Sequence, residues 1–352
     1  MIDIQAADPF VAFAYLASGG IFLLCGGLLL VIGALHWRRR WRDHRTELIE
    51  ARWRPLLLQS LDGALPEFPP LPARHRLTVL WLWSRMAEWL EDSARTGLVR
   101  AARRLRLDRA ARELLTDGDL RERLLAAVIL GNMRDLGSWD ELVAAVDEWH
   151  ATLSMAAARA LLRTDPRRAL PVVLDAGLRR GEWPIGMLLA MLREVGPRLV
   201  TPPLCERLRT VEGTRLRRLL SLLPIAEQAK VRPVLLARLD ASEDPEFIAG
   251  ALRHLGEPED AERLRRYCEH PSWVVRVRAI HALARLARDQ DLPLFARRLD
   301  DAQWWVRLRA AESLLDHPRL TPPALEALLE GVAVGAEGRH TLLQLQASRL
   351  GA

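Results

Sequence analysis

Nine histidines and three cysteines are the residues of this chain best suited to chemistry, and their spacing organises none of it. Cys25, Cys205 and Cys268 form no CxxC pair and have no histidine at metal-ligand distance along the chain, which predicts reduced, structural thiols. No GxSxG, P-loop, GxGxxG or HExxH pattern occurs, so neither a catalytic constellation nor a metal or cofactor is expected. His254 and His281 stand in Ala/Leu-rich stretches, the setting of packed or solvated imidazoles.

The residues that do cluster are arginines. LHWRRRWRDHR, Leu35 to Arg45, holds Arg38, Arg39, Arg40, Arg42 and Arg45 around Trp37 and Trp41. The formal net charge of +6 is concentrated there and just beyond. Residues 1–35 carry two acids and no base, residues 36–110 carry sixteen arginines against nine acids, and residues 111–352 carry thirty-five bases against thirty-four acids. A phosphate-backbone binder spreads positive charge over its binding domain, so this division argues against nucleic acid as a partner.

What precedes the cluster explains it. Residues 11–35 are 25 positions without a charge, which as a helix rise roughly 37 Å, enough to cross a hydrocarbon core of about 30 Å. Asp3 and Asp8 precede the run and the arginines follow it, the reverse of a cleaved signal peptide. The positive-inside rule then predicts an uncleaved single-pass anchor in the inner membrane, with the short N-terminus outside and the rest of the chain cytoplasmic. Trp37, Trp41 and the five arginines would sit against anionic lipid headgroups. Gly19, Gly26 and Gly33 fall on one helix face, which allows close approach by a second span and hence homo-oligomerisation, although glycine is common in spans for other reasons.

The remainder must be helical, because Leu, Ala and Arg dominate and aromatic residues are only 6%. Residues 36–60 read as a basic juxtamembrane segment whose helix stops at Pro55, and 61–73 as a proline-rich linker without a packed core. Residues 74–116 read as a helical cap in which Trp81, Trp83 and Trp89 either pack or meet the membrane interface. From 117 to 352 the chain repeats. Residues 271–286 and 302–315 align at an offset of 31, pairing Trp273 with Trp304, Val275 with Val306, Arg276 with Arg307, Ala279 with Ala310 and Leu283 with Leu314. The same interval reaches Leu130, Leu161, Leu192, Leu223, Leu252 and Leu345, with one step of 29. Each unit reads as two helices unable to bury their apolar faces alone, so the expected fold is an all-α solenoid of stacked helix pairs behind one transmembrane helix.

VVRVRAIHAL and WVRLRAAESL resemble HEAT repeats, in particular the shorter HEAT-like repeats first named in phycobilisome lyases, and the likeness fades between 182 and 242. The resemblance implies that Arg276 and Arg307 form a structural ladder between repeats. It also implies that the second helices line a binding face, where Arg207, Arg238, Arg266 and Arg298 would make a basic stripe for an acidic segment of a protein partner. Solvated arginines offsetting helix dipoles would account for the stripe as well. The di-iron hydroxylases built on such repeats need His-Glu pairs, and no histidine here is followed by Glu. The expected function is a non-catalytic, membrane-tethered adaptor. By resemblance its client would be an envelope or exopolysaccharide synthesis component, and the competing class is a lyase-like or chromophore-binding HEAT protein.

Overall fold

The structure is a computed structural model that describes residues 46–62, 65–90 and 92–350. The apolar run 11–35, its Gly19, Gly26 and Gly33, and the cluster Trp37 to Arg45 all lie outside the described residues. Among the described residues the secondary structure is entirely helical, and no helix is long and apolar enough to cross a membrane. The chain divides into two compact units, Met1–Asp165 and Pro166–Ala352.

In the first unit α1 occupies 46–59, followed by α2 (Ala73–Glu88), α3 (Asp92–Arg104), α4 (Leu107–Asp117), α5 (Leu120–Met133), α6 (Trp139–Asp147) and α7 (Ala151–Thr164). Contrary to the expectation from Pro55, α1 runs through that proline to residue 59. Its apolar side, Trp53 and Leu57, is fully packed, and burial of that face outweighs the missing N–H. The proline-rich stretch is also packed: Phe68 stacks on Trp53 at 6.5 Å between ring centroids. Trp83 is buried and donates its Nε1–H to the Leu98 carbonyl at 3.0 Å, tying α2 to α3, whereas Trp81 and Trp89 are exposed. A capping box starts α5: Asp119 accepts from the amides of Arg121 and Glu122, and Glu122 accepts from the Asp119 amide. The α5 and α7 backbones approach so closely that a Cβ on Gly131 would lie 2.7 Å from the Ala160 Cα.

The second unit contains α8 (Pro166–Arg179), α9 (Ile185–Val195), α10 (Pro197–Thr210), α11 (Thr214–Leu220), α12 (Gln228–Asp240), α13 (Pro245–Ala251), α14 (Ala261–Tyr267), α15 (Trp273–Ala284), α16 (Leu292–Arg298), α17 (Trp304–Leu315), α18 (Pro322–Val332) and α19 (Ala336–Leu350). Two layers result. The first helices α11, α13, α15, α17 and α19 each pack on the next, and the second helices α8, α10 and α12, then α16 and α18, do likewise. The leucines at the 31-residue interval all fall at or just after the C-terminal half of a first helix, and Leu130, Leu161, Leu192, Leu223, Leu252, Leu283 and Leu314 are buried. Leu345, near the end of α19, is only half-buried.

The helix pairs continue through 182–242, where the sequence pattern is weakest. Pro171, Pro202 and Pro233 stand 31 residues apart inside α8, α10 and α12, keeping register where the leucine-alanine pattern thins.

Candidate protein-binding surface

The second helices are joined by charge. Arg232 of α12 forks onto the buried Asp260 carboxylate ahead of α14, and Arg265 of α14 reaches the buried Asp291 ahead of α16 at 2.6 Å. Asp260 and Asp291 are 31 residues apart, the repeat interval. Burial pushes the Asp260 carboxyl up, but the Arg232 bonds and the amides of Gly256 and Glu257, at 2.9 and 3.0 Å, outweigh it and hold the group below the usual carboxylate range. These aspartates went unnoticed in the sequence; an acid recurring at the repeat interval before a helix start is the signal that marks them.

Of the two arginines placed in a ladder, Arg276 grips Asp301, in the turn ahead of α17, with two bonds of 2.8 and 2.7 Å. Its remaining nitrogen donates to the carbonyls of His270 and Pro271. Asp301 also accepts from the Gln303 amide at 3.0 Å, and against the upward push of burial these donors hold its carboxyl below the usual range. Arg307 makes the corresponding bonds to the carbonyls of Asp301 and Ala302, but one repeat on from Asp301 stands Val332, and Arg307 approaches only the exposed Glu337 at 3.5 Å.

The four arginines of the stripe lie on second helices, and three hold the preceding repeat. Arg207 is bidentate on Asp175 at 2.7 and 2.9 Å, and Arg238 donates to the Leu208 and Val211 carbonyls at 2.8 and 2.6 Å. Arg298 lies 3.5 Å from Glu269 and 3.7 Å from Asp301. Arg266 stands exposed, and its neighbour Arg263 reaches back to Asp240 instead. A ligand for this stripe would have to displace bonds between repeats.

The first helices expose something different. Trp273 and Trp304 open α15 and α17, and the Arg276–Asp301 pair draws those two helix starts together. Trp273 is 39%, Trp304 46% and Trp305 55% exposed, in a layer whose other large side chains are mostly buried. Trp304 and Trp305 meet edge to face, with centroids 4.6 Å apart. Three indoles at one end of neighbouring helices offer flat apolar area at low entropic cost, the property that makes tryptophan a frequent interface anchor.

Both cysteines among the described residues are buried. Burial pushes the Cys268 thiol up to about 12 and raises Cys205 as well. Burial, reinforced by neighbouring arginines, lowers His254 and His281 below the usual imidazole range, so both are neutral at pH 7. Among the described residues no group of His, Cys, Asp and Glu is placed to hold a metal ion.

These observations define an all-α protein whose second unit stacks helix pairs through arginine–aspartate links. Residues 232–315 match the family model for HEAT repeats, a span that runs from α12 through α17 and includes Asp260, Asp291 and Asp301. A comparison with curated proteins finds no match.

Proposed function

We propose that this protein is a non-catalytic adaptor that binds a protein partner through its HEAT repeats while residues 11–35 hold it in the inner membrane. The row Trp273, Trp304 and Trp305 supports the binding reading most directly, because half-exposed indoles gathered at one end of two linked helices leave apolar area that packing of their own repeats does not cover. HEAT repeats commonly serve as protein-interaction scaffolds, and the matched segment contains all three tryptophans. The period of 31 residues favours the short, phycobilisome-lyase-like variety over the usual HEAT period of about 40–47. Tethering at a bilayer raises a partner's effective concentration without new chemistry. An envelope-synthesis component fits as client, because its machinery shares that bilayer.

Cross-linking of the full chain in detergent-solubilised membranes tests the binding. A specific set of proteins should be captured by the wild type and lost from the Trp273→Ala/Trp304→Ala/Trp305→Ala variant; equal capture by both would exclude this surface. Retention of the chain in the membrane pellet after alkaline carbonate washing tests the anchor separately.

A further inference from the structure

The first unit carries a group of exposed arginines. Arg52, Arg76, Arg100, Arg103, Arg104 and Arg106 are all exposed, and none of their guanidinium groups forms an ion pair or hydrogen bond among the described residues. The second unit has exposed, uncommitted arginines too, Arg253, Arg266, Arg278 and Arg297 among them, so what sets the first unit's group apart is its gathering about one segment. Arg100, Arg103 and Arg104 share one face of α3 by helical spacing. Arg76, Arg104 and Arg106 line a groove of about 750 Å³ along the proline-rich segment, and Arg52 lines a second groove that shares Glu67, Phe68 and Pro69 with the first. Glu67 is the one acid in either groove. The αL conformation of Arg106, φ 55°, joins α3 directly to α4 and keeps its side chain at this edge.

We infer that this arginine face of the first unit is a docking surface for an anionic lipid bilayer, laid against phosphate headgroups as a second, folded contact beyond the arginines of 38–45. Charge complementarity is the argument: a broad set of unpaired, exposed guanidiniums keeps its hydration until a diffuse array of phosphates replaces it, whereas a discrete acidic ligand would call for a few converging, partly buried ones. The orientation rests on the proposed anchor at 11–35, which leaves only a short length of chain between the bilayer and α1.

The test is arginine footprinting of the full chain with phenylglyoxal, read by peptide mass spectrometry. The chain is compared in nanodiscs of phosphatidylcholine alone and of phosphatidylcholine mixed with phosphatidylglycerol. Severalfold protection of Arg76, Arg104 and Arg106 in the anionic discs, with Arg266 and Arg278 of the second unit unchanged, is the expected result. Arg76→Glu/Arg104→Glu/Arg106→Glu should abolish the protection of the neighbouring Arg52 and Arg100 while leaving the far-ultraviolet circular dichroism intact. Equal reactivity in both discs overturns the proposal, as does salt-sensitive binding to duplex DNA without lipid-dependent protection. If the chain fails to enter discs at all, the anchor reading falls. Sedimentation with phosphatidylglycerol vesicles then judges this surface independently, with binding supporting it and no binding overturning it.

Discussion

Arg276 and Asp301 share two hydrogen bonds of 2.8 and 2.7 Å across neighbouring repeats, with the arginine side chain 13% and the carboxylate 4% exposed. The pair fixes the spacing of the α15 and α17 starts. Removing one member leaves the other charge partly desolvated. Arg276→Ala should therefore cost about 3–5 kcal/mol of second-unit stability in urea melts. Asp301→Asn should cost less, because the arginine keeps the His270 and Pro271 carbonyls. A substitution of both by apolar residues of similar volume should recover most of the loss; failure to recover would show that the charges do more than join repeats.

Acid should destabilise the fold in two stages. His254 and His281 are held below their ordinary imidazole value, so their contribution is complete above about pH 6.5 and is lost as pH falls toward the folded values. Asp260 and Asp301 are held below the carboxylate range, so their contribution persists until about pH 3.9 and drains only below it. Urea midpoints measured from neutral pH downward should show both limbs, and His254→Gln with His281→Gln should flatten the first alone.

The repeat anchors should differ in weight. Leu283 is fully buried between the layers and its replacement by Ala should cost about 2–5 kcal/mol, whereas the half-buried Leu345 at the end of the array should cost clearly less. Paired thermal or chemical melts decide it, and equal losses would mean that α19 is covered by a further surface.

Trp304→Ala and Trp305→Ala should cost less stability than Leu283→Ala, since about half of each indole lies in solvent, yet weaken partner binding by about 2 kcal/mol or more. Melting together with affinity of the captured partner separates the two effects.

Cys268 should resist alkylation in the native protein at neutral pH, since burial pushes its thiol up to about 12, and become reactive on unfolding. Peptide-resolved iodoacetamide labelling with and without denaturant measures this, and rapid native labelling would show that α14 opens.

The sequence by itself determined the helical character, the 31-residue interval and the leucines that face inward, because burial of one face per helix forces those residue types to recur. Through 182–242 the interval rests in the sequence on Leu192 and Leu223, and the equal spacing of Pro171, Pro202 and Pro233 gains meaning only from their places inside α8, α10 and α12. Tertiary structure alone decided what the arginines of the stripe do. Arg207, Arg238 and Arg266 stand one repeat apart or nearly so, yet the first two end on acceptors of the preceding repeat and the third in solvent. Likewise Trp83 turned inward and Trp81 outward within one helix, and α1 ran on past Pro55. A long, flexible guanidinium can satisfy its donors at many positions, so its partner depends on which carbonyl or carboxylate the stacking brings within reach, a long-range relation that local spacing does not encode.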